Sequence, residues 1–406
     1  MSVSPFVSLG VPEDLVEVLA RRGIHTPFPI QTATLPDVLA GRDVSGRAPT
    51  GSGKTLAFGL AVVEKGPRAT SRKPGSLILT PTRELAAQIA RELQPLAAAR
   101  NRTIATVYGG TGYEAQRKAL RRGCDILVAC PGRLEDLIAQ RDVALDGVGV
   151  VVVDEADRMA DMGFLPAVRR LLDATRKDRQ TMLFSATLDG DVDVLVRRYQ
   201  RDPRRYEVAL PEEQQGDVRH LFWQVERSDR VRVTAGLLGR HDSAIVFCRT
   251  RHGAERLTKQ LARAGVDAAA IHGSRTQPQR DRALHAFSTG KVRALVATDV
   301  AARGIHVDDV ACVIHYDAPA TDKDYVHRSG RTGRAGAEGT VVTLVMGEQG
   351  ADVRAIQKAL RLPLHFDAPD ADLGVPHLHR APSNGHRAPS PNGRSRSRNR
   401  QHLRRR

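Results

Sequence analysis

Along most of the chain, short aliphatic runs alternate with longer stretches of helical spacing. Runs at 77–80, 104–108, 125–129, 148–153 and 180–184 read as strands, with helix-like segments such as 83–99 and 164–174 between them. A helical pattern from Pro12 to Arg22, ended by Gly23, precedes them. The alternation resumes with strands near 221–225, 243–247, 267–271, 293–297, 310–314 and 340–345, and helices near 251–264, 277–288, 322–329 and 350–360. Unbroken apolar runs indicate strands buried on both faces, and strands alternating with helices indicate a parallel, doubly wound α/β sheet. The pattern breaks at 209–219, a polar segment that reads as a linker. After about residue 367 the chain turns to Pro, Ser, Gly, Asn, His and Arg. Such a segment has too little apolar surface to offset its ordering entropy, so a disordered tail is expected. The expected organisation is a first domain over 1–208, a linker over 209–219, a second domain over 220–366 and a tail over 367–406.

One strand stands out by its carboxyl end. Val150, Val151, Val152 and Val153 run straight into Asp154, Glu155, Ala156 and Asp157. The carboxyl end of a parallel strand is where an open α/β sheet binds its ligand. Acids there suit a magnesium ion and an attacking water, although an acid at a strand end also serves as an ordinary helix cap. A second motif decides between the two. Ala48-Pro49-Thr50-Gly51-Ser52-Gly53-Lys54-Thr55 precedes a helix expected from Leu56 and matches the phosphate-binding loop pattern, with Ala48 at the leading glycine. Its glycines let backbone N–H groups turn onto phosphate oxygens. Lys54 can reach the β- and γ-phosphates, and the Thr55 hydroxyl can ligate magnesium. A phosphate loop together with a strand ending in acids is the kit of a nucleoside triphosphatase. Asp154 is then the magnesium holder and Glu155 the residue that positions and deprotonates water.

Composition narrows the partners. The 406 residues allow two or three domains, and 41% of them are hydrophobic. No apolar stretch approaches the ~20 residues of a membrane span, and Met1 to Phe6 carries no secretory pattern. Cys124, Cys130, Cys248 and Cys312 are scattered without CxxC pairs and read as thiols in a reducing, cytoplasmic setting. The formal net charge of +16 points to a polyanion. From His377 to Arg406 there are nine arginines and no acid, so that stretch carries +9 of that charge. It is a candidate for contacts to nucleic acid or to protein partners.

The stretch Asp154-Glu155-Ala156-Asp157 and the motifs around it resemble the DEAD-box RNA helicases, in order, from Phe6 to about Gly339. The resemblance implies two tandem RecA-like domains with ATP, Mg²⁺ and RNA bound across the cleft, acting as a monomer. Gly23 to Gln31 is similar to the family's Q motif (4–32 with its upstream aromatic). There Gln31 bonds the adenine edge and Phe6 stacks on the base, while Phe28 stands where the family usually has Thr. Thr82 and Arg83, then Gly109 and Gly110, then Pro131, Gly132 and Arg133 resemble three RNA-backbone motifs, with Cys130 at a usual Thr. Ser185 and Thr187 match the motif that couples hydrolysis to unwinding. In the second domain, Thr250, Gln277, Arg280 and Thr298 correspond to RNA contacts and Gly304 to a nucleotide contact. Ser274 and His306 replace usual Asp residues. His327 to Arg334 resembles the motif whose arginines, here Arg331 and Arg334, stabilise charge on the transferring phosphate.

These readings imply RNA-stimulated ATP hydrolysis and local, non-sequence-specific unwinding of short duplexes. An RNA clamp or annealing factor with weakened turnover is the main competing reading, and a DNA translocase of related fold the next. An aromatic content of only 4% argues for contacts to the RNA backbone rather than to stacked bases.

Overall fold

The computed structural model describes residues 4–49, 51–188, 190–208, 217–302, 307, 310–333 and 337–370. Two sheets organise them. The first holds β1 (Val44–Arg47), β2 (Ser76–Leu79), β3 (Ile104–Val107), β4 (Ile126–Ala129), β5 (Val150–Asp154), β6 (Gln180–Ser185) and β7 (Arg204–Glu207), in the order β3-β4-β2-β5-β6-β1-β7. The second holds β8 (Val218–Gln224), β9 (Ala244–Phe247), β10 (Ala268–Ile271), β11 (Ala294–Ala297), β12 (Cys312–His315) and β13 (Gly339–Val345), in the order β10-β11-β9-β12-β13-β8. Every pairing in both sheets is parallel. The architecture is that of two RecA-like α/β domains.

The valine run shows why. Side chains alternate across a strand, so Val150 and Val152 enter one apolar cluster and Val151 and Val153 the cluster on the other face. All four are at most 3% exposed. Each contributes roughly 1.5–3 kcal/mol of burial as an upper estimate. Helices cover both faces, and β9 repeats the arrangement, with Ala244 and Val246 on one side and Ile245 and Phe247 on the other. The polar edge strand β7, Arg-Arg-Tyr-Glu, is largely exposed. Its charge guards the sheet edge against pairing with another chain.

Four expectations change. β1 and β7 were not among the expected strands. β1 reads Val-Ser-Gly-Arg and has no apolar run; it is held by pairing with β6, where a Cβ at Gly46 would meet the Phe184 ring at 2.6 Å. The helix after the phosphate loop starts at Lys54, not Leu56. β8 opens at Val218, inside the segment expected as linker, because Val218 pairs with Gly339 of β13. Residues 209–216 and 371–406, which hold most of that linker and of the tail, lie outside the described residues.

Candidate active site

In a parallel sheet all the carboxyl ends fall on one side, so strand order sorts the motifs. The carboxyl ends of β1, β5 and β6 carry the phosphate loop, Asp154–Glu155 and Ser185. Those of β2, β3 and β4 carry Thr82–Arg83, Gly109–Gly110 and Pro131–Arg133. One half of the edge is thus lined by the motifs expected to meet nucleotide and the other by those expected to meet RNA, and β5 lies at the join.

On the nucleotide half the loop folds tightly. Gly51 and Gly53 take positive φ of 85° and 84°. The Ser52 hydroxyl donates to the Pro49 carbonyl at 2.7 Å. Lys54 is 8% exposed, and its ammonium donates to the carbonyls of Ala48 and Pro49 at 2.7 and 2.9 Å. Burial pulls its pKa down, against the upward pull of Asp154 and Glu155. Burial, with the Glu155 charge beside it, pushes the Asp154 carboxyl up to about 7. Its Oδ1 accepts the Glu155 N–H at 3.0 Å. Lys54, Thr55, Asp154 and Glu155 line one cavity of about 190 Å³, which Gln88 and Glu92 also border. Thr50 lies outside the described residues.

Glu155 adopts φ 53°, ψ 48°, a left-handed conformation that costs a non-glycine residue about 1–3 kcal/mol. Its carboxylate accepts from Arg158 Nη1 at 2.9 Å, and both side chains are at least nine-tenths buried. The sequence reading missed Arg158, although its spacing of three from Glu155 on a helix was the available signal. The Asp157 N–H donates to the Ser185 hydroxyl at 3.1 Å, tying β6 to the acids, while Thr187 is exposed just beyond.

Gln31 is fully buried. Its Nε2 donates to the Gly53 carbonyl and its Oε1 accepts the Phe28 N–H, both at 2.9 Å. Phe6 is also fully buried, packed in the apolar cluster that includes Val11 and Leu15. Base stacking needs an open ring face, so the stacking role expected of Phe6 is corrected. Phe28 is the exposed aromatic beside the loop, at 46%.

On the RNA half, Thr82 caps the helix Arg83–Ala99 by accepting the Leu85 N–H at 3.4 Å. Gly109 and Gly110 form an exposed turn, and Gly110 leaves room for the Arg83 guanidinium, which a Cβ there would meet at 2.2 Å. Pro131 starts the helix Pro131–Ala139, Gly132 is exposed, and Arg133 lies 3.9 Å over the Tyr113 ring while donating to the Thr111 carbonyl.

The second domain follows the same logic. Thr250 is exposed and caps the helix Arg251–Arg263. Gln277 is 8% exposed, with its amide donating to Asp281 at 2.9 Å, and Thr298 is 6% exposed at the end of β11. Arg280 departs from expectation. It is 3% exposed, and its Nε donates to Oε1 of Glu84 in the first domain at 2.6 Å. The contact spans the two domains, a placement that the expected RNA-phosphate role does not include. Arg328 forms a two-pronged pair with Asp299 at 2.6 and 2.8 Å. That pair holds the helix Asp322–Ser329, and the buried Arg331 follows on its next turn. His327 of that helix approaches Asp161 of the first domain at 4.0 Å. Arg334, Gly304 and His306 lie outside the described residues.

Comparison with known proteins gives two family models in tandem: DEAD/DEAH box helicase over residues 28–195 and helicase conserved C-terminal domain over 229–336. The chain is 38% identical to the ATP-dependent RNA helicase RhlB of Pseudomonas syringae pv. tomato, over 91% of this chain and 96% of that protein. It is 39% identical to DEAD-box ATP-dependent RNA helicase 30 of Arabidopsis thaliana, over 88% of this chain but only 62% of the longer plant protein. Among solved structures, S. cerevisiae Dbp5 bound to RNA and ADP BeF3 matches with a TM-score of 0.78 at 27% identity, over 91% of this chain and 97% of that one.

Proposed function

The chain belongs to the DEAD-box family of ATP-dependent RNA helicases, and from that membership we propose that it couples RNA-stimulated ATP hydrolysis to local unwinding of short RNA duplexes, without reading sequence and without translocating. The observation that carries this reading is the buried Glu84–Arg280 contact. It joins the first RNA-facing motif of one domain to the second domain. It supports a closed arrangement in which both domains bear on one RNA. The likeness to Dbp5 bound to RNA and ADP BeF3 supports the same arrangement.

Nucleotide phosphates would enter at the amino end of the helix Lys54–Lys65, where unpaired N–H groups and the helix dipole favour anions. Lys54 would exchange the carbonyls of Ala48 and Pro49 for phosphate oxygens. A magnesium ion fits the residues present, because a buried carboxyl pushed up to about 7 gains from a cation and the Thr55 hydroxyl lines the same cavity. Asp154 and Thr55 would hold it, partly through water. When bound it offsets charge between the phosphates. Glu155, aimed by Arg158, would orient the attacking water and take its proton. Arg331 and Arg334 would supply positive charge from the second domain, so turnover requires closure. Thr82, Arg83, Gly109, Gly110, Pro131, Gly132, Arg133, Thr250, Gln277 and Thr298 would meet the RNA backbone, which fixes position without reading bases. The bond from Asp157 to Ser185 gives the hydrolytic acids a mechanical link to the neighbouring loop.

Because RNA and ATP favour the same closed state, each raises the effect of the other. The protein would work as a monomer. Four free cysteines fit a reducing compartment such as the cytoplasm, and no helix among the described residues is long and apolar enough to cross a membrane. The deciding assay is ATP turnover with single-stranded RNA, with DNA of the same sequence, and with neither. RNA-specific stimulation is expected. Turnover indifferent to RNA would sink the proposal, as would RNA binding with no turnover.

A further inference from the structure

Glu92 is an acid that the proposed chemistry leaves unused. It lies half-buried on the helix Arg83–Ala99 and borders the cavity shared by Lys54, Thr55, Asp154 and Glu155. Packing of two helices brings it there. Thr55 and Gly59 are four residues apart on one face of the helix Lys54–Lys65. Gly59 leaves room for Leu93, which is fully buried; a Cβ on Gly59 would lie 2.2 Å from Leu93 Cδ2. The two helices therefore approach closely. At Thr55, one turn before Gly59, the Glu92 carboxylate accepts a hydrogen bond from the Thr55 side chain. Arg22 supplies charge nearby, but its Nη1 donates to the Glu92 backbone carbonyl, at 3.1 Å, which leaves the carboxylate to Thr55.

A hydroxyl has one proton to donate and two lone pairs to offer, whereas an ionised carboxylate only accepts. The Thr55 proton is therefore engaged by Glu92, and the lone pairs remain for the cavity. A group that holds a metal ligand in this way orients it and tunes its affinity for the metal. We infer that Glu92 is a positioning residue: it turns the lone pairs of the Thr55 hydroxyl toward the magnesium site and so sets how strongly the metal tightens nucleotide binding. The inference rests on the proposed ATP-hydrolysing function, in which Thr55 helps to hold magnesium.

Equilibrium binding of ADP to the full chain, with Mg²⁺ and with a chelator in its place, tests it. In Glu92→Ala the gain in ADP affinity that Mg²⁺ brings is expected to fall about tenfold or more, while affinity without the metal does not fall. Thr55→Val keeps the shape and removes the hydroxyl. It should lose the same gain, and adding Glu92→Ala to it should change nothing further. A Glu92→Ala effect that persists in Thr55→Val would mean that the carboxylate acts on the cation by its own charge, and would overturn the inference. Equal weakening of ADP with and without Mg²⁺ would overturn it too, since Glu92 would then only prop the loop. So would an Mg²⁺ gain that Glu92→Ala leaves intact, or a wild-type chain whose ADP affinity is indifferent to Mg²⁺. A wild-type chain that does not bind ADP at all would instead overturn the ATP-hydrolysing reading, and this inference with it.

Discussion

Glu84 and Arg280, 196 residues apart, meet across the two domains with Oε1 accepting from Nε at 2.6 Å. Both side chains are more than nine-tenths buried. Their surroundings are unequal. Glu84 also receives Arg83 Nε at 3.1 Å, whereas the other acceptors for Arg280, the carbonyls of His272 and Ala301, lie at 3.4 Å.

Breaking a buried ion pair by removing one partner costs about 3–5 kcal/mol, mostly from the charge left behind. In the open state water would solvate either group, so the cost should fall on closure. Glu84→Gln is expected to lower RNA-stimulated turnover about a hundredfold or more while nucleotide binding persists. Arg280→Leu should cost less, because Glu84 keeps Arg83. Steady-state turnover with titrated RNA measures both. If Arg280→Leu instead lowers the salt slope of RNA binding without nucleotide by about 0.7, Arg280 is a phosphate ligand after all.

The Arg158–Glu155 pair makes a separate prediction. A general base contributes about 10²–10⁴ in rate, so Glu155→Gln should lose that factor. Arg158→Ala leaves the carboxylate in place but unaimed, and a loss of about tenfold to a hundredfold in kcat with unchanged ADP affinity is expected. An unchanged kcat at saturating ATP and RNA would show that Arg158 only packs.

The strand ends were legible in the sequence because β5 declares itself locally, with four valines, then acids. The phosphate loop was legible for the same reason, since its glycines and Lys-Thr lie within eight residues. β1 was not, since Val-Ser-Gly-Arg becomes a strand only through β6, whose Phe184 occupies the space above Gly46. The partner of Arg280 was not legible for a related reason. Its neighbours in sequence say nothing of a carboxylate in the other domain. Phe6 matched the family's upstream aromatic in position, but burial of its ring depends on the apolar cluster it enters, drawn from elements distant in sequence.

His315 predicts a pH dependence of the second domain. It is fully buried, with Nδ1 2.9 Å from the Thr343 hydroxyl and its ring edge-on to Tyr325 at 5.0 Å. Burial, helped by the Arg328 and His220 charges, holds its pKa well below the ordinary value, and burial lowers His220 as well. The unfolded chain therefore takes up protons below about pH 6.5 that the folded chain refuses. Stability is fully present above that pH and falls as pH drops, by up to about 1.4 kcal/mol per pH unit for each histidine. Denaturant midpoints at pH 7.5, 6.5 and 5.5 should decline in the wild type and decline less in His315→Val. Parallel declines would assign the slope elsewhere.

The arginine-rich segment makes the last prediction, through charge alone. Nine arginines and no acid between His377 and Arg406 can neutralise phosphates wherever RNA passes. On single strands each neutralised phosphate adds about 0.7 to the slope of log affinity against log salt. Deleting 377–406 is expected to weaken RNA binding and flatten that slope by about 0.7 for each phosphate no longer neutralised. The buried Glu84–Arg280 and Glu155–Arg158 pairs lie outside the deleted segment. Saturating RNA should therefore bring the truncated chain to the wild-type turnover, with only the RNA concentration for half-stimulation raised. An unchanged slope would leave the tail a partner-binding or solubilising extension. A lowered plateau would mean instead that the tail takes part in closure, because mass action in RNA cannot compensate for a missing piece of the closed state.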